Sequence, residues 1–516
     1  MKEYASILVF AMPLFLVLII IEKVYGYYKG EDTAPLMDSV SSISSGIINS
    51  LKDVLGLSVT LLSYEWMSIH LALFQQEVSI ASIIIAFIVI DFYGYWSHRL
   101  SHQINFLWNK HAIHHSSEEF NLSCALRQSI SSFVNLFTFL LLPAAIVGVP
   151  AKVIAITLPI HLFLQFWYHT KHIKKMGVLE KIIVTPSHHR VHHAINPEYM
   201  DKNHGQIFIF WDKLFGTFQE ELDDVPAVFG ITRPAQTWNP FRINFQHLWL
   251  LISDAWRAEN WKDKLTIWFK PTGWRPENFE EKYPVAKITN VFDFSKYGTQ
   301  HSKPLLFWSI FQLFTTLGLV SYLYLSIANL SIQNIFIYAI YIFISVYSYT
   351  ELMDTNKYAA IWETIRFAIG IAIIFSFGNW FEIDQLIPFG TYIVIAFISS
   401  SFLGTLFFVG TNFKSEKIGF SLTRHIMKNK IALYVYLGFS LIYLTITALN
   451  LEEIARVLKP FLLPILLIAV YFSNRFSSKK ILLSALTFSW IGDIVLLFAN
   501  QGELYFIVGL VAFLIS

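Results

Sequence analysis

Residues 96–115, WSHRLSHQINFLWNKHAIHH, contain five histidines and follow directly on an apolar run. Four more lie in residues 186–193, PSHHRVHH, where the H-x-x-H-H spacing of residues 111–115 recurs. Positions three and four apart share one face of a helix, so each cluster can direct two or three imidazoles at one point. Crowded imidazoles repel when protonated and lack partners when neutral, and metal binding resolves both problems. The pattern therefore predicts a metal site.

The composition is that of a membrane protein. Of 516 residues, 55% are hydrophobic and 14% are charged, whereas soluble domains carry about 25% charged residues. The net charge of +2 offers no basic surface for nucleic acid. The single cysteine, Cys124, excludes a disulfide framework, an iron–sulfur cluster and a thiolate zinc site. We therefore expect an all-α, polytopic membrane protein.

Runs of about 20 apolar residues predict helical spans, because a helix satisfies its own backbone hydrogen bonds. The predicted spans are 6–21, 79–96, 131–148, 151–168, 304–328, 332–349, 358–377, 386–410, 431–450, 457–473 and 481–499, followed by an incomplete run at 505–516. Residues 38–65 are rich in serine and suit an interfacial helix as well as a span.

The interval 169–303 differs from the rest because it is charged and holds 18 Lys and Arg between residues 170 and 303. The excess of basic residues on cytosolic segments places it in the cytosol, where we expect a helical cap. A tight turn, Gly148-Val149-Pro150, joins the predicted spans 131–148 and 151–168. This hairpin should return the chain to the side it left, so the histidine clusters should meet at the cytosolic face.

Eight or nine imidazoles are too many for one ion, which indicates two metals. Imidazole binds iron, zinc, copper and nickel, so the ligand type leaves the metal open. The membrane location and the absence of an obvious carboxylate ligand favour a redox centre over a metal-dependent hydrolase. A metal transporter would place histidines along a path inside the spans, whereas these lie at span ends. His161, within a span, is a packed polar residue or a partner of a ligand.

Three stretches resemble a known family. They are WNKHAIHHSSEEFNLSCALRQS (108–129), WYHTKHIKKMGVLEKIIVTPSHHRVHH (167–193) and DKNHGQIFIFWDKLFGTF (201–218). The histidine pattern is similar to that of the fatty acid hydroxylase/sterol desaturase superfamily of membrane di-iron enzymes. The sequence segments between the histidines resemble those of alkylglycerol monooxygenases in particular.

That resemblance implies O2 activation by two iron ions and hydroxylation of an ether-linked lipid next to the ether oxygen, which releases an aldehyde and a glycerol derivative. It implies these iron ligands: His98, His102, His111, His114, His115, His169, His189, His192 and His193, with His188 as an alternate ligand or a partner. Gln103 stands where animal members tend to carry Glu, so a carboxylate is missing there. A sterol or fatty-acyl hydroxylase or desaturase is the alternative reading.

Other residues are candidates for supporting roles. A ligating imidazole needs an acceptor for its second nitrogen, and the candidates are Asp91, Glu118, Glu119 and Asp212. Arg127 and Gln128 are candidates for binding a lipid headgroup, although an interfacial arginine can equally extend its charge to water. Each turnover needs two electrons from an external donor. Animal members of the family use tetrahydrobiopterin, but no pterin pocket is recognisable in the sequence. The oligomeric state is open.

Residues 431–516 resemble the lysoplasmalogenase (YhhN-like) membrane family over less than half of such a domain. We expect this unit to be truncated and inactive alone, with Asp493 as its functional candidate because an acid inside a span is costly. The predicted domains are a membrane anchor (1–74), the di-iron domain with its cap (75–303), further spans (304–410), a basic linker (411–430) and this unit (431–516).

Overall fold

The structure, a computed structural model, describes residues 2–412 apart from 58, 61 and 300, and several segments beyond residue 412. Those segments are 452–471, 478–496 and 503–515, with the single residues 436, 440, 443 and 447. The chain forms two compact units, Met1–Asp354 and Thr355–Ser516. The division falls within the predicted domain 304–410, and the predicted domain boundaries stay predictions.

Helices make up nearly all the regular structure of the first unit. They are α1 (Lys2–Lys29), α2 (Leu36–Val54), α3 (Tyr64–Leu71), α4 (Ile80–Gln103), α5 (Asn105–His115), α6 (Leu142–Ile146), α7 (Ala151–Phe163), α8 (Pro186–His193), α9 (Phe210–Phe215), α10 (Pro240–Arg257), α11 (Trp261–Thr266), α12 (Phe279–Lys282), α13 (Lys303–Ser326) and α14 (Ile332–Met353). Short 3₁₀ helices occupy Leu122–Leu126, Thr138–Leu141 and Gly177–Lys181, and strands β1 (Val59–Thr60) and β2 (Val134–Asn135) pair in parallel. The all-α fold class is confirmed.

Within the described residues, six helices are long and apolar enough to cross a membrane. They are Tyr4–Lys29, Ile80–Gln103, Lys303–Ser326, Ile332–Met353, Ala359–Phe377 and Gly390–Gly410. Their positions match the predicted spans 6–21, 79–96, 304–328, 332–349, 358–377 and 386–410. The protein is therefore an integral membrane protein with several spans, as predicted.

The predicted spans 131–148 and 151–168 are wrong. The first is broken into a 3₁₀ helix and α6, and α7 ends after 13 residues. At 1.5 Å per residue α7 covers about 20 Å, less than the ~30 Å hydrocarbon core. Prolines at 143, 150 and 159 and a turn at Gly148 interrupt the apolar sequence. Gly148 has φ 71°, and a Cβ there would lie 1.8 Å from the Phe74 carbonyl oxygen, so only glycine fits this turn.

The serine-rich segment forms α2, a largely buried helix. Its serines meet tyrosines of two later helices: Ser44 Oγ lies 2.6 Å from Tyr349 Oη, and Ser50 Oγ lies 2.9 Å from Tyr324 Oη. Hydroxyl pairs of this kind satisfy polar groups away from water. The segment is therefore an internal helix of the first unit, with its serines on neighbouring protein.

Between α8 and α13 the described residues form the short helices α9, α11 and α12 and the longer α10. This region closes on the start of α5, where Asn105 Nδ2 donates to the carbonyls of Ile267 at 3.0 Å and Trp274 at 3.1 Å. A helical cap is thus present beside the end of α4. That it faces the cytosol is a proposal.

The second unit is also helical. Its described helices are α15 (Ala359–Phe377), α16 (Gly390–Asn412), α17 (Glu452–Tyr471), α18 (Lys479–Leu496) and α19 (Glu503–Ile515), with a 3₁₀ helix at Ile383–Gln385. Most of the predicted linker 411–430 and of the predicted span 431–450 lies outside the described residues.

Candidate metal centre

Nine histidines converge in two groups. The five-histidine group is His98, His102, His111, His115 and His192, and the four-histidine group is His114, His169, His189 and His193. Within each group, one ring nitrogen from every histidine lies within 4.8 Å of the others. These are the nine residues that the family resemblance implies as iron ligands. The last turns of α4, the C-terminal half of α5, residue 169 and α8 therefore meet in one place.

Each H-x-x-H-H sequence divides between the two groups. On α5, His111 and His115 belong to the five-histidine group while His114 belongs to the other. On α8 the roles are exchanged, since His189 and His193 join the four-histidine group and His192 joins the other. Residues four apart share a helix face, whereas adjacent residues point about 100° apart. The expectation that each cluster points at one place is corrected: each serves two.

The Nε2 atoms face one another at short distances. His98 Nε2 and His111 Nε2 are 2.8 Å apart, and His111 Nε2 and His115 Nε2 are 3.0 Å apart. In the other group, His169 Nε2 and His189 Nε2 are 2.8 Å apart. In the described structure, His102 Nε2 and His192 Nε2 are buried without a hydrogen-bond partner. Such converging lone pairs and unpaired nitrogens fit a bound cation.

The opposite ring nitrogens fix the tautomers. His98 Nδ1 donates to the His204 carbonyl at 2.9 Å, and His192 Nδ1 donates to the Lys202 carbonyl at 2.9 Å. Since a carbonyl only accepts, the proton of the neutral His192 ring lies on Nδ1 and its Nε2 lone pair faces inward. The same tautomer of His98 requires the Gln206 side-chain amide, whose nitrogen is placed 2.9 Å from His98 Nδ1, to present its oxygen instead.

The four-histidine group uses carbonyls as well. His114 Nδ1 donates to the Arg127 carbonyl at 3.3 Å, and His169 Nδ1 donates to the Gln165 carbonyl at 3.1 Å. Backbone carbonyls are ordinary partners for a metal-bound imidazole.

Among the described residues, one carboxylate contacts a grouped histidine: Asp201 Oδ1 accepts from His102 Nδ1 at 3.3 Å. Residues 201–204 also supply the acceptors of His98 and His192. We call these four residues the acceptor segment. Asp201 and Asn203 have φ of 55° and 53°, a left-handed conformation that Asp and Asn tolerate better than most residues. The acceptor segment orients three imidazoles of the five-histidine group.

Buried side chains hold the acceptor segment in place. Asn203 Nδ2 donates to the carbonyls of His188 at 3.1 Å and Gln219 at 2.7 Å. The Asp212 carboxylate accepts from the amides of His204 and Gly205, both at 2.7 Å. Asp212 thus acts on the site through the backbone.

The four predicted acceptors lie elsewhere. In the described structure, none of Asp91, Glu118, Glu119 and Asp212 contacts one of the nine histidines. Asp91 accepts from His161 Nε2 at 2.8 Å and from Trp211 Nε1 at 2.9 Å, which ties α4 to α7 and α9. Backbone carbonyls accept instead from the Nδ1 atoms of four grouped histidines, His98, His114, His169 and His192. His161, left open in the sequence, is the partner of Asp91.

The other two acids have partners of their own. Glu118 accepts from the Tyr297 amide, and Glu119 accepts from Lys296 at 2.6 Å and Lys171 at 3.4 Å. His188 also lies outside both groups, and its Nδ1 accepts from the Thr185 amide at 3.3 Å.

The headgroup candidates differ in burial. Arg127 is 2% exposed, and it donates to Asp38 at 2.6 Å and to Ser116 and Ser42 at 2.8 and 2.9 Å. It does not extend to water, while Gln128 Nε2 donates to the Ala125 carbonyl at 3.0 Å. Arg127 secures the loop whose carbonyl orients His114, and a role in headgroup binding stays a prediction.

Burial keeps the imidazoles outside the spans neutral. The pKa values of His111, His115, His189, His192 and His193 are lowered well below the ordinary value, first by burial and then by neighbouring histidines. Burial lowers the pKa of His114 to about 4. A metal ligand has to be neutral imidazole, so the site favours the form that binds.

His204, like Asp201, is a residue beside the five-histidine group that the sequence interpretation missed. Its side chain is fully buried, and both ring nitrogens lack a hydrogen-bond partner within the described part of the chain. Its ring centre lies 5.0 Å from that of His102. Spacing gave no signal, because His204 stands alone in the sequence.

In the second unit, Asp493 is 8% exposed, and its Oδ1 lies 3.2 Å from Lys459 Nζ. An ion pair lowers the energetic penalty for an acid within an apolar helix, so this contact explains how Asp493 is tolerated there. A functional role for Asp493 stays a prediction.

The chain is similar to known families and proteins. The fatty acid hydroxylase family model matches residues 83–217, which include all nine grouped histidines, and the YhhN family model matches residues 454–516. Alkylglycerol monooxygenase of Homo sapiens is 33% identical over 73% of this chain and 84% of that protein. Alkylglycerol monooxygenase of Danio rerio is 34% identical over 75% and 86%.

A more distant relative is the ornithine lipid hydroxylase of Rhizobium tropici, 28% identical over 29% of this chain and 45% of that protein. No solved structure matches this chain.

Proposed function

We propose a function from one premise: this chain belongs to the alkylglycerol monooxygenase family. It is an O2-dependent monooxygenase of the membrane, and we propose that it cleaves the alkyl ether bond of alkylglycerols and lyso-ether lipids. Oxygen is inserted into the C–H bond next to the ether oxygen, and the hemiacetal collapses to an aldehyde and a glycerol derivative. The other oxygen atom leaves as water, which requires two electrons and two protons.

The convergence of nine imidazoles at the end of a span carries this proposal. We propose that the five-histidine group and the four-histidine group each hold one iron ion. Iron supplies the O2 and one-electron chemistry that side chains lack. The buried unpaired nitrogens of His102 and His192, together with the inward Nε2 atoms, fit this role.

The residues around the two groups orient the imidazole rings and keep water away from them. The acceptor segment and the carbonyls of Arg127 and Gln165 hold the rings with Nε2 inward. Phe120 and Tyr168 lie against the four-histidine group, with ring centres 5.3 Å from His193 and 4.3 Å from His189. These aromatic rings exclude water beside the groups, which limits side reactions.

The lipid substrate fits the position of the site. His98 and His102 lie in the last turns of α4, a candidate span, so the histidine groups lie at one end of an apolar helix. An alkyl chain can stay in lipid while its ether carbon reaches this level. Moving a 16-carbon chain into water would cost roughly 0.8 kcal/mol per methylene, over ~10 kcal/mol in total.

The experiment uses the full chain in lipid nanodiscs with 1-O-hexadecylglycerol, O2 and a panel of donors that includes tetrahydrobiopterin. Hexadecanal formed in a 1:1 ratio to O2 consumed, with about two iron atoms per chain, supports the proposal. The His111→Ala variant is the inactive control. Hydroxylated sterol, acyl or ornithine lipid, with the ether lipid unchanged, would instead place the protein with the alternative lipid hydroxylases.

We propose that the site faces the cytosol, because of the basic residues of the interval 169–303. In sealed inverted and right-side-out vesicles, an Asp223→Cys variant should react with an impermeant maleimide only from the cytosolic side. Asp223 is suitable because its side chain is 95% exposed, while Cys124 is buried. Labelling from the opposite side alone would reverse the orientation.

A further inference from the structure

Large apolar side chains stand exposed along one short part of the cap. They are Trp249 (69% exposed), Trp256 (84%), Trp261 (74%), Leu265 (64%) and Phe269 (75%), with Ile252 at 42%. Single exposed apolar residues need no explanation, but six within 21 residues form a patch. Trp249, Ile252 and Trp256 follow a spacing of three and four, so they share one face of α10.

The opposite face of α10 is packed inward. Leu251 and Asp254 are 2% and 0% exposed, and Asp254 pairs with Arg275 Nε at 2.6 Å. α10 is thus an amphipathic helix fixed by its inner face, with an apolar outer face.

The depth of α10 is set by its contacts with α5. His247 Nε2 donates to the Asn105 carbonyl at 3.1 Å, and the Leu248 amide donates to Asn109 Oδ1 at 2.8 Å. Asn105 starts α5 two residues after α4 ends at Gln103. Since α4 is a candidate span, α10 lies at the level where that span ends.

α11 and the residues after it are fixed at the same level. The Asn105 amide donates to the Lys270 carbonyl at 3.0 Å, and the Phe106 amide donates to the Trp268 carbonyl at 2.9 Å. The whole exposed patch from Trp249 to Phe269 is therefore attached to the end of α4.

We propose that the outer face of residues 249–269 lies in the membrane–water interface, with its tryptophans among lipid headgroups. Tryptophan is enriched at this depth because its ring is amphipathic, and amphipathic helices lie in the interface plane. The flanking charges suit anionic headgroups, because Arg257, Lys262, Lys264 and Lys270 outnumber Glu259 and Asp263. This interface is independent of the metal chemistry and adds a lipid contact to the cap.

The contact reaches the site through the loop that follows. Thr272 Oγ1 donates to the His102 carbonyl, and its amide donates to the Gln103 carbonyl at 3.1 Å. A lipid-anchored 249–269 face therefore holds the cap at a fixed height over the five-histidine group.

Spin labelling of the full chain tests the proposal. In a Cys124→Ala background, a nitroxide is placed by Trp256→Cys or Trp261→Cys, and the matched control is Asp223→Cys. The proteins are reconstituted in vesicles with a fraction of phosphatidylglycerol, and collision rates with O2 and with nickel-EDDA are measured. Sites 256 and 261 should show an O2-to-nickel ratio several-fold above that of site 223, because O2 partitions into lipid and the nickel complex into water.

Two results would overturn the proposal. Nickel accessibility at 256 equal to that at 223 would place the face in water. Low accessibility to both reagents, together with dipolar broadening that disappears on dilution with unlabelled protein, would show that a second copy of the chain covers the face. Iron content and ether cleavage are measured on the same samples, so a failure of the proposed function stays distinguishable.

Discussion

The two histidine groups are oriented by different parts of the chain. The five-histidine group depends on the acceptor segment 201–204, which supplies a carboxylate and two carbonyls. The four-histidine group uses carbonyls close in sequence to its own members or to α5, at Gln165 and Arg127. Asp201 has a side chain that is 52% exposed, whereas Phe120 beside the four-histidine group is fully buried.

This contrast separates two ways of holding a metal-binding residue. One group takes its orientation from a polar loop that is anchored by Asn203 and Asp212, so changes away from the imidazoles can disturb it. The other group takes its orientation from the backbone beside its own residues and from aromatic packing. Substitutions in the acceptor segment and in its anchors Asn203 and Asp212 should therefore affect mainly the five-histidine group.

The largest effect is expected from removing one histidine of each group. His115→Ala and His189→Ala should each lower ether cleavage by more than ~100-fold, because loss of a partner of the ligand already costs 10–100-fold. Each variant should also lose iron from its own group, measured as iron per chain by mass spectrometry. His70→Ala is the control, since His70 is exposed and outside both groups. Wild-type turnover in either group variant would contradict the ligand assignment.

A smaller effect is expected from the one carboxylate. Asp201→Gly keeps the left-handed backbone but removes the acceptor of His102, and it should lower iron affinity by roughly 10-fold. Asp201→Asn retains an oxygen acceptor and should recover most of that loss. Iron titration with a competing chelator measures both. Equal affinity in the Gly variant and the wild type would show that Asp201 does not position His102.

The anchor of the acceptor segment should matter less for chemistry than for stability. Asp212→Asn turns an amide N–H group towards the backbone donors of His204 or Gly205, and it should destabilise the fold by about 1–3 kcal/mol. Thermal unfolding in detergent measures this change, with Asp224→Asn on the exposed surface as the control. Iron should be lost first from the five-histidine group. Equal loss of iron from both groups would show that the acceptor segment does not support the five-histidine group in particular.

The smallest effect is expected at Gln103, where the family resemblance implies a glutamate. Gln103 is exposed at the end of α4, and Asp201 already provides a carboxylate to His102. Gln103→Glu should therefore change turnover by less than about twofold, as expected for an exposed charge. A large gain in iron affinity would mean that a carboxylate at 103 is needed after all.

The nine histidines could be selected from the sequence because their identity and spacing carry the information. How they divide could not, because adjacent histidines such as His114 and His115 differ only in rotation about the helix axis. The acceptors were hidden for a different reason. A backbone carbonyl has no residue type, and Asp201 has the appearance of any acid in a polar loop.

The spans show the same limit. Apolar composition identified α4 and α13, which are continuous helices. It failed between residues 131 and 168, because composition does not report whether a helix continues through Pro143, Gly148 and Pro159. The apolar outer face of α10 could not be predicted, because its tryptophans lie in a charged interval whose composition predicts a solvent-exposed segment.

The broken segment between β2 and the end of α7 has a consequence for how the protein is made. Neither α6 nor α7 is long enough to insert across a bilayer alone, and backbone groups in lipid need partners. Here neighbouring protein supplies them: the Leu73 amide donates to the Ile146 carbonyl at 2.9 Å, and Tyr64 Oη donates to the Val149 carbonyl at 2.8 Å. We therefore expect α3 to be in place before this segment is stable in a membrane. Variants that destabilise α3 should lower the amount of folded protein and, with it, the amount of metal bound.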